Sequence, residues 1–463
     1  MNGGTIYEFG ALVPEGTACG ESADVRMVPA RVFAWLEDQC LAIAEQGEAA
    51  WLRMTQRRGR RAVQVTSFVG VIRAPNGFQI EVLPKVGVAI GGGEEEARQL
   101  LIEMLRCLRG FRHIQTDSAK LLAKRMPLLE VFISEFLVAV GRVVKGGLRS
   151  NYLSKKDNLF ALRGKLQMAS HLRQNLYRAD RFFTEHDEFT TNRPENRLLH
   201  AALRRVLNMS GSQENQRLGR ELCFVFADIP VSMQAGDDFK RVSVDRGMGH
   251  YSDALGWARL ILEDKSPLTG VGGNRAPSLL FPMDAVFEAF VAKHLSNQVA
   301  PRLVLKTQAR SRHLVLHNKQ EWFRLKPDLL IREADKDVVV MDTKWKLLDS
   351  LKANGTDKYG LAQGDFYQLH AYGHGYLSGK GDVVLIYPMT DSFRIPLPVF
   401  EFIQTGELRL WVLPFCLRSK WLLVPEGAPY FAAFDRGTRK GPGEADVFQK
   451  APDAPVEGIR GYH

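Results

Sequence analysis

The sequence predicts a multidomain α/β (α+β) protein whose C-terminal part is a mixed β-sheet flanked by helices. Three observations predict it. Residues 281–388 follow the order helix, strand, strand, helix, strand. Residues 62–85 alternate like strands around a tight turn, and residues 165–210 look mostly helical. The length of 463 residues is enough for two or three domains with separate cores.

Changes in composition along the chain predict four parts. Residues 1–112 read as a mixed α+β region, and residues 113–268 as a mostly helical, basic middle domain. A Gly/Pro-rich connection at residues 269–277 leads into a C-terminal domain at 276–433. Residues 434–463 are rich in Gly, Pro and charge and have few large apolar side chains, which predicts a flexible tail.

Several elements of the first two parts have clear signals. Apolar residues at helical spacing predict an amphipathic helix over residues 30–52. Asn76-Gly77 between two alternating segments predicts a β-hairpin. Glu94–Glu96 stand where a helix begins, because negative charge suits the N-terminal end of the helix dipole. Pro127 suits the first turn of a longer helix that ends near Val144.

The most informative segment lies near residue 330, where two predicted apolar strands carry charged residues at their ends. The first strand is Lys326–Ile331, and the second is Val338–Lys344. Side chains two apart in a strand point to the same face, so Asp342 and Lys344 project together at the end of an apolar run. Two carboxylates suit a divalent metal ion, and a lysine beside them can orient a water or stabilise charge on a phosphate.

The order and spacing of these residues resemble the signature of the PD-(D/E)xK nucleases. Pro327-Asp328 is followed, fourteen residues after the aspartate, by Asp342-Thr343-Lys344. The resemblance implies a restriction-endonuclease-like core in which Asp328, Asp342 and the backbone carbonyl of Thr343 hold Mg²⁺, with Mn²⁺ as a second candidate. It also implies a catalytic role for Lys344. The alternative interpretation is an ordinary hairpin with a solvated end.

Two flanking helices supply further candidate catalytic residues. Glu288 borders the apolar face of the upstream helix, where it is either a third carboxylate for the metal or a solvated residue. Gln368 and Tyr372 share one face of the downstream helix, four residues apart. Related nucleases often carry Gln-x-x-x-Tyr after the Asp-x-Lys strand, and the resemblance implies that this pair orients the lysine or a phosphate oxygen.

Five short segments narrow the resemblance. They are Leu83-Pro84-Lys85, Asn151-Tyr152, Leu162-Arg163-Gly164-Lys165-Leu166, Asp187-Glu188-Phe189 and Asn196-Arg197-Leu198-Leu199. Over roughly residues 60–420 the chain resembles the McrC family, the nuclease subunits of modification-dependent McrBC restriction systems. The resemblance implies a Mg²⁺-dependent DNA endonuclease subunit for defence against foreign DNA, which acts with a McrB-like AAA+ GTPase hexamer.

The sequence has no Gly-x-x-x-x-Gly-Lys-Ser/Thr phosphate-binding loop, so we expect nucleotide hydrolysis to lie with that partner. In the McrC family the N-terminal region contacts the GTPase ring. This implies docking through residues 50–110, including the basic cluster Arg57–Arg61, for which DNA contact and a solvated loop are the alternatives. Two other functions stay open: a stand-alone DNA repair nuclease, and a non-catalytic nuclease fold that serves as a DNA-binding or ring-organising scaffold.

The charge of the chain favours a polyanionic partner. The formal net charge is +10, and residues 142–181 carry ten Lys or Arg against two acids. Such a segment, interleaved with aromatic residues, predicts contacts with the phosphates of double-stranded DNA. The alternative is a solvated surface around one buried arginine, Arg163. The candidate DNA-binding residues are Lys155, Lys156, Arg163, Lys165, Arg173 and Arg178.

The sequence predicts no membrane contact. No stretch approaches the apolar length of a transmembrane helix, and the N-terminus lacks the order of a signal peptide. The five cysteines are scattered without metal-ligand spacing, which favours the reducing cytoplasm.

Overall fold

The computed structural model describes residues 3–16, 22, 24–46, 50–86, 93–108, 126–243, 248–263, 279–403 and 407–425. The chain forms two compact units, Met1–Val286 and Phe287–His463. The predicted connection at 269–277 and the predicted flexible tail at 434–463 lie outside the described residues.

Among its described residues, the first unit has eight strands that form two neighbouring sheets. They are β1 (Gly3–Tyr7), β2 (Ala11–Pro14), β3 (Val25–Val28), β4 (Leu52–Arg57), β5 (Arg60–Val65), β6 (Phe68–Arg73), β7 (Gln79–Leu83) and β11 (Leu279–Pro282). These strands form two four-stranded sheets, with the orders β1-β7-β6-β11 and β3-β2-β5-β4. Apolar side chains of both sheets share one core with helix α1 (Ala30–Gln46).

Both predicted elements of this part are present, although the helix predicted over residues 30–52 ends at Gln46, and Leu52 already belongs to β4, where it pairs with Val65. Val32, Leu36 and Ile43 of α1 are buried, because the apolar positions of this helix recur on one face. The predicted hairpin is the antiparallel pair of β6 and β7. Its turn places Gly77 at φ +86°, a conformation that favours glycine, while Asn76 Oδ1 accepts a hydrogen bond from the backbone N–H of Phe78 at 3.1 Å.

Seven helices and three strands make up the rest of the described first unit. The helices are α2 (Glu94–Leu105), α3 (Leu128–Lys145), α4 (Met168–Asn175), α5 (Pro194–Met209), α6 (Gln213–Val225), α7 (Ala235–Arg241) and α8 (Gly249–Glu263). The strands β8 (Asn151–Leu159), β9 (Lys165–Leu166) and β10 (Phe182–Thr190) form a sheet in the order β8-β10-β9. The predicted helices that begin near Glu94 and Pro127 are confirmed as α2 and α3.

The small sheet lies in a part of the chain that the sequence predicts to be mostly helical. The first six residues of β8 are all exposed, so both faces of the strand meet solvent. A strand without a buried face does not need alternating apolar and polar residues. Such a strand therefore lacks the two-residue hydrophobic period by which strands are predicted from sequence.

The second unit is built on a mixed sheet, with helix α9 (Met283–Leu295) leading into it. Its remaining elements are β12 (Val304–Thr307), β13 (Arg312–His317), β14 (Gln320–Leu325), β15 (Leu329–Glu333), β16 (Lys336–Thr343), α10 (Gln363–Leu377), β17 (Gly381–Pro388), β18 (Phe400–Glu401), β19 (Leu408–Cys416) and β20 (Trp421–Leu422). The seven-stranded sheet has the order β12-β15-β16-β17-β19-β18, with β20 beside β19. β15 runs antiparallel to β16, whereas β17 runs parallel to both β16 and β19.

The predicted helix, strand, strand, helix and strand are present as α9, β15, β16, α10 and β17, but the prediction missed the three strands β12, β13 and β14 that lie between α9 and β15. The five apolar positions that predict the buried face of α9 are all buried: Met283, Val286, Phe287, Phe290 and Val291. No helix in the described part of the chain is long and apolar enough to cross a membrane.

Candidate active site

Asp328 and Asp342 lie at the same end of the mixed sheet. Leu329 of β15 pairs with Met341 of β16, so the two aspartates occupy the next positions along the antiparallel pair. β16 is an interior strand of the sheet, and Asp342 is only 2% exposed. The apolar run that precedes Asp342 thus places its carboxylate in a buried environment, where ionisation of the group is energetically unfavourable.

Asp328 is held in place by the residue that follows Asp342. The backbone N–H of Thr343 donates to Asp328 Oδ2 at 2.8 Å, and the Thr343 hydroxyl donates to the same oxygen at 2.7 Å. Both hydrogen bonds therefore fix one carboxylate oxygen of Asp328 and orient the other. Thr343 itself is buried.

Lys344 connects the strand to helix α10. Its Nζ lies 2.7 Å from Asp342 Oδ2 and donates to Gln368 Oε1 at 2.9 Å. Asp365 is a second, more distant carboxylate, with its Oδ1 at 3.6 Å from the same nitrogen. Burial lowers the pKa of Lys344, but the carboxylates around it outweigh burial and raise that pKa above its usual value, so the side chain is an ammonium ion.

A chain of hydrogen bonds orients Gln368. Its Nε2 donates to the Tyr372 hydroxyl at 2.8 Å, which fixes the amide so that Oε1 faces Lys344. The Tyr372 hydroxyl donates in turn to the backbone carbonyl of Lys326 at 3.0 Å. Gln368 and Tyr372 face the same way because they are one helical turn apart.

Glu288 approaches the two aspartates from helix α9. Gln308 Nε2 donates to Glu288 Oε1 at 3.1 Å, and the backbone N–H of Gln308 donates to the backbone carbonyl of Asp328 at 2.7 Å. Gln308 thus ties the glutamate to the end of β15. Glu288, Asp328 and Asp342 are called the carboxylate cluster below.

The pKa values of the carboxylate cluster are raised. Burial, followed by the charge of Asp328, raises the pKa of Asp342 to about 6. The same two causes raise the pKa of Glu288 to about 7. Burial also raises the pKa of Asp328, although the hydrogen bonds from Thr343 oppose the effect. The ionised forms of these groups destabilise one another, which is the condition that a bound cation relieves.

The cluster is not a closed set of side-chain ligands. Within the described ranges, no three His, Cys, Asp or Glu side chains are arranged to hold a metal ion by themselves. Oδ2 of Asp328 accepts from Thr343, Oδ2 of Asp342 contacts Lys344, and Oε1 of Glu288 accepts from Gln308. The donor set nevertheless fits a hard divalent cation, because its potential ligands are oxygen atoms. The positive charge nearby is also too small to offset the negative charge of the ionised carboxylates.

All the candidate catalytic residues predicted from the sequence meet at this end of the sheet, and the structure places three further side chains beside them. Asp365 stands three residues before Gln368 on α10, a spacing that could have revealed it. The buried Tyr387 hydroxyl donates to Asp365 Oδ2 at 3.2 Å, but a tyrosine within an apolar strand gives no functional signal. Gln308 reaches the site only through the pairing of β12 with β15, which sequence patterns do not specify.

The six candidate DNA-binding residues all lie on the surface of the first unit. Arg163 is exposed, so the interpretation of this arginine as a buried residue is wrong. Lys155 Nζ lies 3.5 Å from Asp157 Oδ2 and 3.4 Å from Glu188 Oε2. Lys156 Nζ lies 3.9 Å from Glu185 Oε2, so neighbouring acids offset part of the positive charge on this face.

The family expected from the sequence is confirmed by comparison with known proteins. Residues 63–388 match the McrBC family, described as the McrBC 5-methylcytosine restriction system component. No curated protein matches the chain.

Two solved structures have similar chains. One is a refined half-complex from the tetradecameric assembly of Thermococcus gammatolerans McrB AAA+ hexamers with bound McrC. The sequence identity is 18%, the alignment covers 89% of this chain and 94% of that chain, and the TM-score is 0.64. The other is the cryo-EM structure of the Thermococcus gammatolerans McrBC complex, with 19% identity, coverage of 64% and 87%, and a TM-score of 0.49. The first similarity shows a shared fold. Because the family match spans more than half of its length, the chain belongs to the McrBC 5-methylcytosine restriction system component family.

Proposed function

We propose that the chain is the DNA endonuclease subunit of a McrBC-like restriction complex and that it cleaves phosphodiester bonds with Mg²⁺ bound at the carboxylate cluster. One observation carries the proposal: Lys344 Nζ lies 2.7 Å from Asp342 Oδ2 at a buried strand end, beside Asp328. Buried carboxylates with raised pKa values cost folding free energy, and such groups concentrate at functional sites.

Three oxygen donors are the candidate ligands of the metal ion. They are the carboxylates of Asp328 and Asp342 and the backbone carbonyl of Thr343, with Glu288 as an additional ligand. Mg²⁺ takes few protein ligands and keeps several waters, so a set of two carboxylates and one carbonyl is sufficient. When bound, Mg²⁺ lowers the pKa of water and offsets negative charge on the scissile phosphate.

Lys344 is the residue best placed to act on the phosphate. Its ammonium group is held between Asp342 and Gln368, so its position is fixed before DNA binds. From there it donates a hydrogen bond to the attacking water or to an oxygen on which charge develops. Gln368 and Tyr372 are positioning residues: the Tyr372 hydroxyl orients the amide of Gln368, and Gln368 in turn orients the ammonium group of Lys344.

The proposed partners are double-stranded DNA and a McrB-like AAA+ GTPase hexamer. The net charge of +10 suits DNA, and the sequence has no phosphate-binding loop of its own. The family membership and the fold shared with McrC bound to McrB support the GTPase partner. The direct test is cleavage of DNA that contains 5-methylcytosine by the reconstituted complex, with Mg²⁺ and GTP. Intact DNA under these conditions would contradict the proposal.

The raised pKa values predict that stability without metal falls as the pH rises. The folded-state pKa values of Asp342 and Glu288 lie above their usual values, so the folded chain binds protons more tightly than the unfolded chain. Between about pH 4 and pH 7 the free energy of unfolding should therefore decrease with pH. Asp342→Asn removes this effect at one position, and at pH 8 it should stabilise the metal-free protein by roughly 1–3 kcal/mol.

Urea unfolding of the full chain at pH 4.5 and pH 8 checks this prediction. Asp337→Asn is the matched control, because Asp337 lies on the same strand and pairs with Arg332 at 2.7 Å. It should destabilise the chain at pH 8, since its ion pair is removed. A lower stability of Asp342→Asn at pH 8 would contradict the electrostatic description of the cluster.

The basic surface of the first unit should contribute affinity for DNA of any sequence. Replacing Lys155, Lys156, Arg173 and Arg178 by alanine should weaken binding to all duplexes alike and reduce the salt slope by about 0.9 for each phosphate that the protein no longer neutralises. The two arginines should contribute more, because acids already contact both lysines. Filter binding across a salt series measures the slope.

Four exposed basic residues elsewhere in the first unit serve as the control: Arg217, Arg220, Lys240 and Arg241. Their replacement by alanine removes the same formal charge outside the proposed surface. An equal loss of affinity in both variants would assign the effect to net charge alone and reject the proposed surface.

A further inference from the structure

The hairpin of β13 and β14 forms a separate two-stranded sheet beside the large sheet of the second unit. His317 pairs with Gln320, and the two residues between them, Asn318 and Lys319, have φ values of +48° and +63°. This is the geometry of a tight two-residue turn, whose twist matches that of the strands. The hairpin has a defined register around this turn, with one irregularity at Phe323, whose φ is +57°.

The side chains of this hairpin are unusually apolar for an exposed surface. Leu314 is 54% exposed, Leu316 70% and Phe323 69%, and Trp322 is 45% exposed. The Trp322 ring packs against the His317 ring in a tilted arrangement, with ring centroids 4.8 Å apart. Several exposed apolar and aromatic side chains on one short hairpin favour a surface that binds a partner.

The charge around these apolar groups identifies the kind of partner. Residues 308–326 contain five Lys or Arg and one acid, Glu321. The basic residues are Arg310, Arg312, Lys319, Arg324 and Lys326, and all five are exposed. A basic ribbon with aromatic side chains is complementary to a nucleic acid, in which phosphates flank stacked bases and sugars.

The last strand of the hairpin is fixed to the helix that orients Lys344. The backbone carbonyl of Leu325 accepts from the Tyr376 hydroxyl at 3.2 Å, and that of Lys326 accepts from Tyr372 at 3.0 Å. Leu325 is buried and packs against Gly375 of α10. A β-carbon at position 375 would clash with the Leu325 side chain. Asp328 follows three residues after Leu325.

The segment that leads into the first strand of the hairpin is also joined to the carboxylate cluster. Arg310 Nη2 donates to Gln308 Oε1 at 3.3 Å, and Gln308 Nε2 donates to Glu288 at 3.1 Å. Both ends of the hairpin thus begin at the candidate active site, while its turn is exposed. A group bound along the hairpin would be held at a fixed distance from Asp328.

We propose that the β13–β14 hairpin enters a groove of duplex DNA and positions the scissile phosphate at the carboxylate cluster. A two-stranded ribbon fits the major groove. Arg312 and Lys319 bind backbone phosphates, while Trp322 and Phe323 contact sugars and bases. The inference rests on the proposed nuclease function, because it takes the substrate of that same site to be duplex DNA.

Two double variants of the full chain test the proposal. Arg312→Ala with Lys319→Ala removes two phosphate contacts, and Trp322→Ala with Phe323→Ala removes the apolar contacts. Lys293→Ala with Lys336→Ala is the control, since both lysines are exposed in the second unit and lie outside the hairpin. Fluorescence anisotropy with a labelled duplex of about 30 base pairs, in Ca²⁺ instead of Mg²⁺, reports binding.

Each hairpin variant should bind DNA about tenfold or more weakly, and the basic pair should lower the salt slope by about 2, while the control binds like wild type. Mn²⁺ binding should persist in every variant. A wild-type chain that does not bind the duplex, or hairpin variants that bind like the control, would overturn the proposal. Loss of a dimer in the hairpin variants at unchanged DNA affinity would assign the hairpin to a second copy of the chain and overturn it as well.

Failure of the proposed function gives a different result. In that case the wild-type protein binds the duplex but does not cleave it when Mg²⁺, GTP and the GTPase partner are present. If wild type cuts and the hairpin variants cut equally well, the nuclease function stands and the role of the hairpin is rejected.

Discussion

Replacing Asp342 by alanine should abolish DNA cleavage by the reconstituted complex and leave the fold and DNA binding intact. Asp342 stands at the end of an interior strand, where its carboxylate contacts Lys344 and is destabilised by burial and by Asp328. Removal of the carboxylate deletes a proposed metal ligand and frees Lys344 from its fixed position. Cleavage assays with Mg²⁺, together with binding of a labelled duplex, measure the two properties separately.

The matched control is Asp337→Asn, five residues earlier on the same strand. Asp337 binds Arg332 and lies away from the carboxylate cluster, so its replacement should preserve cleavage. Lys344→Ala should abolish cleavage but keep metal binding, because lysine is not a ligand. Wild-type cleavage by Asp342→Ala would reject the assignment of the site, whatever the control shows.

The isolated chain should cleave DNA poorly, and the GTPase partner with GTP should raise the cleavage rate. The sequence has no phosphate-binding loop, and the whole first unit precedes the candidate active site. A large unit without a catalytic cluster among its described residues is suited to docking and control. Cleavage rates with and without partner and GTP check the prediction.

The basic cluster in the turn between β4 and β5 is the candidate docking site for the partner. Arg57 pairs with Arg60 across this turn, and Arg57, Arg58 and Arg60 are exposed. Deleting the whole segment would be uninformative, because Val63 and Val65 belong to the core of the first unit. Charge reversal of Arg57, Arg58 and Arg60 to glutamate should instead prevent stimulation of the GTPase. Specific, rapid cleavage by the chain alone would count against a partnered mechanism.

The sequence predicted much of the second unit because its elements have one buried face. Val339, Val340 and Met341 are buried in an interior strand, and such a strand reads as an apolar run. Asp342 interrupts that run, and the interruption identified the candidate site. Gln368 and Tyr372 were predicted from helical spacing together with the resemblance to nucleases that carry Gln-x-x-x-Tyr, and the two side chains are hydrogen-bonded to each other.

The features that the sequence did not predict depend on long-range pairing or on exposed strands. Gln308 joins Glu288 to β15 only because β12 pairs with β15, a contact between distant segments. The β13–β14 hairpin has apolar residues on an exposed surface, so its pattern does not distinguish it from a core hairpin. β8 begins with six exposed residues, and β10 buries only Thr184 and His186, both polar, so neither strand has the buried apolar stripe that would mark it as a strand.

Mn²⁺ binding to the full chain, measured by isothermal titration calorimetry near neutral pH, tests the central claim that Asp328 and Asp342 form a metal site. Mn²⁺ prefers the same oxygen ligands as Mg²⁺ and binds such sites more tightly. Wild type and Asp337→Asn should bind Mn²⁺ with equal affinity, whereas Asp342→Asn should lose binding. Unchanged Mn²⁺ affinity in Asp342→Asn would contradict the claim.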